Sequence, residues 1–496
     1  MYSNLRRLAR AHPALAAVLG AGFVVHVAAW IAYWPALWYS DSVSYSFLAV
    51  HGGMSPTRQM AYPWLMRALI AVAGQSNGVL AFLTATQHLA GLAGGVLVYA
   101  MLRRLDVGKV LAAMAAGVFV LDAFTLSVEQ TILSEAYFVL VLTGSFALLI
   151  LRRGGSGTLI ASGVLLAAAV WLRSAALFAV PAWFGYLVWS WRAWKPVLVA
   201  GGALAAPLLV YATLYWSVTG VFGFTQTFGW FMYGRVAEIA NCQTADIPPG
   251  TQRLCTRGYR PVGAAWYIWD QRSPAWKLYG RNPGGRPHRL ERFDARLRTF
   301  AFAVIRDDPW GYVRLVVGDM GRFFEPGLMK RGDNDDLTTT FGRYDADRNL
   351  LPPPLRNPLR TFRSYRTPER APHSLLAAYS KVVHLPRLPL AALLFASIFG
   401  LLVPPLRRAI RHPAEVAMLI GAAFSILLGH ALTSDFAVRY LIPTVPLILA
   451  GGIPGSRWLW VAVTRARVDD GRRDRAPRRP RLRPTGGRTA GDRLPI

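Results

Sequence analysis

Charge is what this chain has least of. Only 16% of its 496 residues are Asp, Glu, Lys or Arg, against about 25% in an ordinary soluble domain. With 53% hydrophobic residues and a mean hydropathy of +0.31, that shortage excludes a water-soluble globule. Period-2 alternation of apolar and polar residues is lacking too, which excludes a membrane barrel of strands. Cysteine is nearly absent, with two in the whole chain. What is present instead is a series of apolar blocks, each long enough to span a bilayer at about 20 residues. The composition predicts an all-α polytopic membrane protein.

Acidic residues are scarcer than basic ones, 26 against 55, for a net charge of +29. That excess does not point to nucleic acid, because of where it lies. Arg6, Arg7 and Arg10, then Arg103, Arg104 and Lys109, then Arg152 and Arg153, Arg192 and Lys195, and Arg407, Arg408 and Arg411 all flank apolar blocks. The positive-inside rule puts such clusters in the cytoplasm. Residues 464–496 hold 11 Arg against 4 Asp and read as a basic, disordered cytoplasmic tail lying against anionic headgroups. Residues 14–34 are too long for a signal-peptide core and end in Trp34-Pro35 rather than small residues, so a retained first span is expected.

With basic clusters as cytoplasmic anchors, roughly ten spans follow, with both termini inside. They are placed at 14–34, 79–102, 109–127, 132–151, two within 157–190 divided at Arg173, 196–216, 377–404, 413–433 and 437–460. Residues 35–78 form a first outer loop, in which Ala61 to Val72 reads as a helix lying in the interface. The expected organisation is a transmembrane module over 1–216, an extracytoplasmic loop domain over 217–376, transmembrane helices over 377–463 and the tail over 464–496. The loop domain carries 24 Lys and Arg against 15 Asp and Glu, which long translocated segments tolerate. Cys242 and Cys255 both fall within it, and an even pair in an oxidising compartment suggests one disulfide. A metal site there would want further close ligands.

Polar residues gather at the predicted outer face. Tyr39-Ser-Asp41-Ser-Val-Ser-Tyr45 follows the first span, and Arg58 and Tyr62-Pro63 share its loop. Ser134-Glu135 opens the fourth span, Arg173 divides the long apolar run, and Asp435, Arg439 and Tyr440 occupy the last outer turn. Ionisable residues at a membrane edge point to a site. Asp41 could serve as a general base toward an acceptor hydroxyl if desolvation raises its pKa. Arg58, Arg173 and Arg439 could grip phosphate oxygens, with Glu135 orienting one of them and Tyr45, Tyr62, Ser134, Asp435 and Tyr440 in support. Plainer readings stand beside these. Asp41 can cap the following helix, Glu135 can answer a helix dipole, Arg173 can snorkel to a headgroup, and Arg439 can anchor at the interface.

Asp41 after the first span, Arg58-Gln-Met-Ala-Tyr62-Pro63, Leu133-Ser134-Glu135 and Arg439-Tyr440-Leu-Ile-Pro443 together resemble the GT-C superfamily of membrane glycosyltransferases. That group includes protein O-mannosyltransferases, aminoarabinose transferases and mycobacterial arabinosyl and mannosyl transferases. The resemblance covers roughly 1–216 and 377–460. It implies a GT-C-like bundle, a polyprenyl-phosphate sugar donor, inverting transfer to an extracytoplasmic acceptor, and a catalytic acid in the first outer loop, the place Asp41 fills. Ser42 stands where many relatives carry a second acid, so no metal site built on an acidic pair is read here and cofactor use is left open. Met60 stands where similar enzymes often have Pro.

The competing readings are a transporter or flippase for lipid-linked sugars and a non-catalytic partner in envelope assembly. A transporter should show inverted repeats with broken helices near the midplane, and no internal symmetry is visible. The Ala- and Arg-rich composition suggests a GC-rich bacterium, and the expected location is a bacterial inner membrane. Because the tail is rich in Pro and Arg and almost without large apolar residues, it cannot build a core. Truncation after about Arg467 is therefore expected to leave folding and activity of the detergent-purified protein intact, as measured by size-exclusion profile and turnover.

Overall fold

The computed structural model describes residues 7, 10–152, 155–191, 193–255, 263–270, 272–279, 293–326, 369–459 and 461. Among these the chain is helical, and one isolated bridge between Leu37 and Thr131 takes the place of any sheet. The first half runs α1 (Pro13–Ala32), α2 (Ser40–His51), α3 (Ala61–Ala73), α4 (Asn77–Arg104), α5 (Lys109–Val120), α6 (Ala123–Gln130), α7 (Glu135–Leu151), α8 (Ser156–Leu172), α9 (Val180–Ser190) and α10 (Trp194–Thr219). The loop region supplies α11 (Phe228–Val236), α12 (Gly263–Trp269), α13 (Pro274–Tyr279), α14 (Asp294–Asp307) and α15 (Pro309–Arg322). The chain then continues through α16 (His373–Val382), α17 (Arg387–Leu402), α18 (Pro404–Arg407), α19 (Pro413–Thr433) and α20 (Val445–Gly455).

Among the described residues, five helices are long and apolar enough to cross a membrane, namely α1, α4, α10, α19 and the stretch Val438–Leu459 that includes α20. Two bent pairs, α5 with α6 and α16 with α17, raise the count to seven, and shorter apolar helices cover Ala61–Ala73, Glu135–Leu151, Ser156–Leu172 and Ser174–Ser190. All ten segments anticipated as spans fall on helices of this set. The protein is a polytopic helical membrane protein. Leu198, Leu209 and Val210 of α10 are exposed. Such a face would be an aggregation surface in water, and it is the ordinary coat of a helix bundle in lipid.

Two anticipated spans are broken rather than straight. The α5–α6 pair bends by 50° where the Asp122 carboxylate accepts hydrogen bonds from the Thr125 amide and hydroxyl, both at 2.7 Å. The carboxylate starts a new helix by satisfying its first amides. The α16–α17 pair bends by 45° at a break that contains Pro386, which lacks an amide donor and disfavours helical geometry in the residue before it.

Lipid supplies no hydrophobic force between helices, so the bundle closes through small residues and local hydrogen bonds. A Cβ on Gly163 of α8 would lie 2.7 Å from the Ala200 carbonyl oxygen and 3.0 Å from the Leu204 amide of α10, so the two backbones touch there. Ser145 and Ser162 donate to each other's carbonyls at 2.8 and 2.9 Å, joining α7 to α8. Within the Val438–Leu459 stretch, 94% of the most apolar 18-residue window is buried.

The described part of 217–376 has its own apolar cluster, built around Trp230, Tyr233, Tyr267, Ile268, Leu297 and Phe300. It docks on the bundle through Tyr312, whose hydroxyl donates to the Leu432 carbonyl at 2.7 Å. Within it Arg235 is ion-paired with Asp319. The expected basic tail over 464–496 lies outside the described residues, as do 256–262, 280–292 and 327–368 of the expected loop domain.

Cys242 and Cys255 meet as a pair with Cα atoms 6.2 Å apart. Thiol alkylation of the untreated protein should label neither cysteine, and labelling should appear after reduction. Closing a loop of this size contributes about 3 kcal/mol, so reduction should raise local proteolysis around 242–255 without unfolding the bundle.

Candidate active site

A strip of backbone pairing brings the first outer loop against the start of α7. The Leu37 amide donates to the Gln130 carbonyl at 2.9 Å, and the Ile132 amide donates to the Leu37 carbonyl at 3.1 Å. Gln87 of α4 fixes the same strip, its side-chain amide donating to the Glu129 carbonyl at 2.6 Å and the Thr131 carbonyl at 2.8 Å. Tyr62 in turn donates to the Gln87 side-chain oxygen at 2.6 Å. The strip therefore sets where α2 begins relative to Glu135.

The start of α2 decides what Asp41 is free to do. The Tyr39 amide donates to Ser42 Oγ at 2.9 Å, and the Ser42 amide donates to the Tyr39 carbonyl at 2.9 Å. Capping thus falls to Tyr39 and Ser42, and the reading of Asp41 as the helix cap is corrected. Its carboxylate faces guanidinium groups instead. Arg58 is ion-paired with Oδ1, and Arg439 Nη2 lies 3.0 Å from Oδ2. Ser55 Oγ accepts from the Thr57 and Arg58 amides at 3.2 and 3.1 Å, making the tight turn that presents Arg58.

Glu135 is the second acid of the cluster. It is ion-paired with Arg173, and its Oε1 lies 3.5 Å from Arg439 Nη1. Arg439 therefore bridges the two carboxylates. At 6% exposure it is no interfacial anchor, and Arg173 turns inward to Glu135 rather than out to a headgroup. Glu135 itself is buried, which removes the plain reading of a solvated charge at a helix start. Three guanidiniums meet two carboxylates, so the ion-paired set carries one positive charge in excess.

The remaining anticipated residues line the same place. Tyr45 OH lies 3.3 Å from Ser134 Oγ, and the Tyr45 and Tyr62 rings meet edge to face at 5.0 Å. Asp435 accepts from the Ser434 hydroxyl at 2.9 Å and the Tyr440 hydroxyl at 3.2 Å. The Arg439 guanidinium sits over the Tyr39 and Tyr440 rings at 4.7 and 5.6 Å, and Arg173 over Tyr440 at 5.5 Å. Such stacking favours Arg over Lys. Buried Arg58 Nε, Arg439 Nε and Glu135 Oε2 have no hydrogen-bond partner, although a buried unmet donor costs about 1–3 kcal/mol.

Burial pushes the Asp41 carboxyl up, but Arg58, Arg439 and Arg173 outweigh it and hold the group below its ordinary value. That reverses the expectation that desolvation would raise it. At Asp435 burial wins over Ser434, Arg439 and Tyr440, and the carboxyl is pushed up. Trp269 and Gln87 were not anticipated at the site, and Tyr39 was named only as part of its polar stretch. Tyr39 stacks on Arg439, Trp269 of α12 lies 5.7 Å from the Arg58 guanidinium, and Gln87 holds the strip. Gln87 gave a signal as a lone amide inside an apolar run, whereas Trp269 gave none because its approach depends on how the loop region folds back.

No protein-family model matches the chain, and no curated protein sequence matches it. Solved structures similar to it include the archaeal oligosaccharyltransferase AglB from Archaeoglobus fulgidus, in complex with an inhibitory peptide and a dolichol-phosphate. That match has 14% identity and a TM-score of 0.39, over 95% of this chain and 52% of that one. ArnT from Cupriavidus metallidurans bound to undecaprenyl phosphate matches at 11% identity and a TM-score of 0.35, over 87% of this chain and 77% of that one. The chain spans about half the length of the archaeal protein.

Removing one partner of a buried ion pair leaves the other charge uncompensated, at about 3–5 kcal/mol. Glu135→Gln should therefore destabilise the protein by that order in reversible detergent unfolding. Adding Arg173→Met should recover much of the loss, and simple additivity of the two changes would contradict their coupling.

Proposed function

We propose that the chain is an integral membrane glycosyltransferase of the GT-C kind. It moves a sugar from a polyprenyl-phosphate donor to an extracytoplasmic acceptor, with inversion, at the outer face of a bacterial inner membrane. Residues 1–216 and 377–463 form the catalytic transmembrane body, 217–376 the extracytoplasmic domain, and both termini lie in the cytoplasm. One observation carries the reading. The guanidiniums of buried Arg439 and half-buried Arg58 and Arg173 converge on Asp41 and Glu135, with one positive charge in excess and three buried nitrogens, Arg58 Nε and Arg439 Nε and Nη1, that have no hydrogen-bond partner. That is a receptor for a phosphate beside a carboxylate.

The arrangement couples donor binding to base activation. Phosphate oxygens match guanidinium geometry and compete with carboxylates for it. A donor phosphate drawing Arg58 and Arg439 toward itself removes the charges that depress Asp41, and burial then raises the carboxylate's affinity for a proton. Asp41 takes the proton of the acceptor hydroxyl as its oxygen bonds to the anomeric carbon. The carbon–oxygen bond to phosphate breaks with its electron pair on the phosphate, and the arginines stabilise that charge as it grows. Arg173 and Glu135 position Arg439, while Tyr45, Tyr62, Ser134, Asp435 and Tyr440 hold the surrounding groups.

The test is turnover of radiolabelled polyprenyl-phosphate sugars by purified protein in lipid, with a membrane extract supplying acceptors. Asp41→Asn keeps shape and hydrogen bonding but removes the proton acceptor, so turnover should fall by about 10²–10⁴-fold. The variant's unfolding midpoint is measured alongside. Wild-type turnover in a folded Asp41→Asn protein would overturn the catalytic assignment.

A further inference from the structure

Away from the arginine cluster, three polar side chains meet inside the bundle. His26 comes from α1, His88 from α4 and Glu129 from α6, and all three are buried. His26 Nδ1 lies 3.0 Å from His88 Nδ1. Glu129 Oε2 lies 3.1 Å from both of them. Three ligand-type atoms thus form a nearly equilateral triangle from three separate helices.

The outer hydrogen bonds decide which atoms carry protons. His26 Nε2 lies 3.1 Å from the Val120 carbonyl oxygen, which can only accept, so Nε2 carries the hydrogen. Gln130 donates its amide to the Tyr33 carbonyl at 2.8 Å, which turns its side-chain oxygen toward His88 Nε2 at 2.9 Å. That nitrogen also carries a hydrogen. In the neutral rings both Nδ1 atoms are therefore lone-pair acceptors, and the carboxylate oxygen between them is a third. Three acceptors facing one another repel. A proton added to one ring serves one shared bond, whereas a dication serves all three lone pairs.

We propose that His26, His88 and Glu129 bind a divalent transition-metal ion of the zinc type through Nδ1, Nδ1 and Oε2. Imidazole nitrogen and carboxylate oxygen form the ligand set that zinc takes at about 2.0–2.2 Å. Tetrahedral ligands at that distance are roughly 3.3 Å apart, close to the triangle's edges. Both imidazoles are oriented by an N–H bond from the far nitrogen to a carbonyl oxygen, the usual outer support of metal-bound histidine. Space is reserved as well, since a Cβ on Gly91, one turn from His88, would lie 1.9 Å from Glu129 Oε1 and 2.8 Å from Oε2. A small cavity adjoins Glu129, lined also by Gly91, Thr125 and Glu135. The ion would tie α1, α4 and α6 together directly beneath the Gln130–Thr131 strip that sets Glu135, a structural role separate from the proposed transfer reaction.

The experiment counts metal. Full-length protein with a histidine-free tag is purified with zinc present, desalted, and analysed by inductively coupled plasma mass spectrometry. About one zinc per chain is expected. Glu129→Gln and His88→Ala should lower retained zinc at least about 10-fold, while His51→Ala, at the exposed end of α2, should keep it. Should His88→Ala fail to fold, the wild-type protein decides the matter. Loaded with cobalt in place of zinc, it should show the visible absorption of a four-coordinate nitrogen and oxygen site, lost on adding zinc. Folded wild-type protein that holds neither zinc nor cobalt in stoichiometric amount would overturn the proposal, and so would equal zinc retention in all variants.

Discussion

A charge at the edge of the hydrocarbon region persists only beside its counter-charge, and the structure supplies one for both Asp41 and Glu135. Asp41 sits between Arg58 and Arg439, and Glu135 between Arg173 and Arg439. Removing either carboxylate would leave buried guanidinium charge uncompensated, at a cost of several kcal/mol. The first outer loop, the start of α7, the break before α9 and the last outer turn must therefore converge. Arg439 holds the two halves together because it touches both carboxylates.

Such a network is poised rather than inert. Mutual neutralisation of buried ions yields little net stability against an apolar alternative, so a site of this kind is explained better by what it can exchange than by what it holds. On the proposed reading, a singly charged donor phosphodiester competes for the Arg439 guanidinium, already oriented by the rings of Tyr39 and Tyr440. Their stacking keeps the donors aimed while their ionic partner changes. The hydrogen-bonded strip behind them is firm by contrast, with Gln87 satisfying two carbonyls and Tyr62 satisfying Gln87. Exchangeable charges on a fixed backbone suit binding that must be followed by release.

The same polar economy shapes the bundle at its breaks. Asp122 ends α5 and starts α6, and this bend delivers Glu129 and Gln130 inward, where a straight helix would continue along its own axis. Gly91 leaves the gap that Glu129 fills. One short helix thus serves two polar centres, the histidine pair on one side and, through Thr131 and Ile132, the arginine cluster on the other. Coupling between the two through the strip is a physical contact chain.

Much of the architecture was legible in the residue order. Lipid demands about 20 consecutive apolar residues per crossing, and that demand made the ten expected segments readable as helices, five of the described helices being long and apolar enough to cross singly, with Arg173 marking a break and the hydrophilic stretch after α10 standing apart. The polar residues of the outer face were legible too, because an acid or arginine at a membrane boundary has few other reasons to be there. Partners were not legible. Arg439 meets Asp41 only because the last outer turn folds back over the first loop, and no local pattern encodes so distant a pairing. The bends at Asp122 and before α17 were hidden because hydropathy averages across a break that one cap or one proline creates. His26 and His88 each read as a lone histidine in an apolar run, and only the packing of α1, α4 and α6 brings three lone pairs to a common point. The sequence by itself determined which segments enter the membrane and which side chains resist it. Tertiary structure decided which of those side chains face one another, because charge pairing and coordination depend on distance in space and not along the chain.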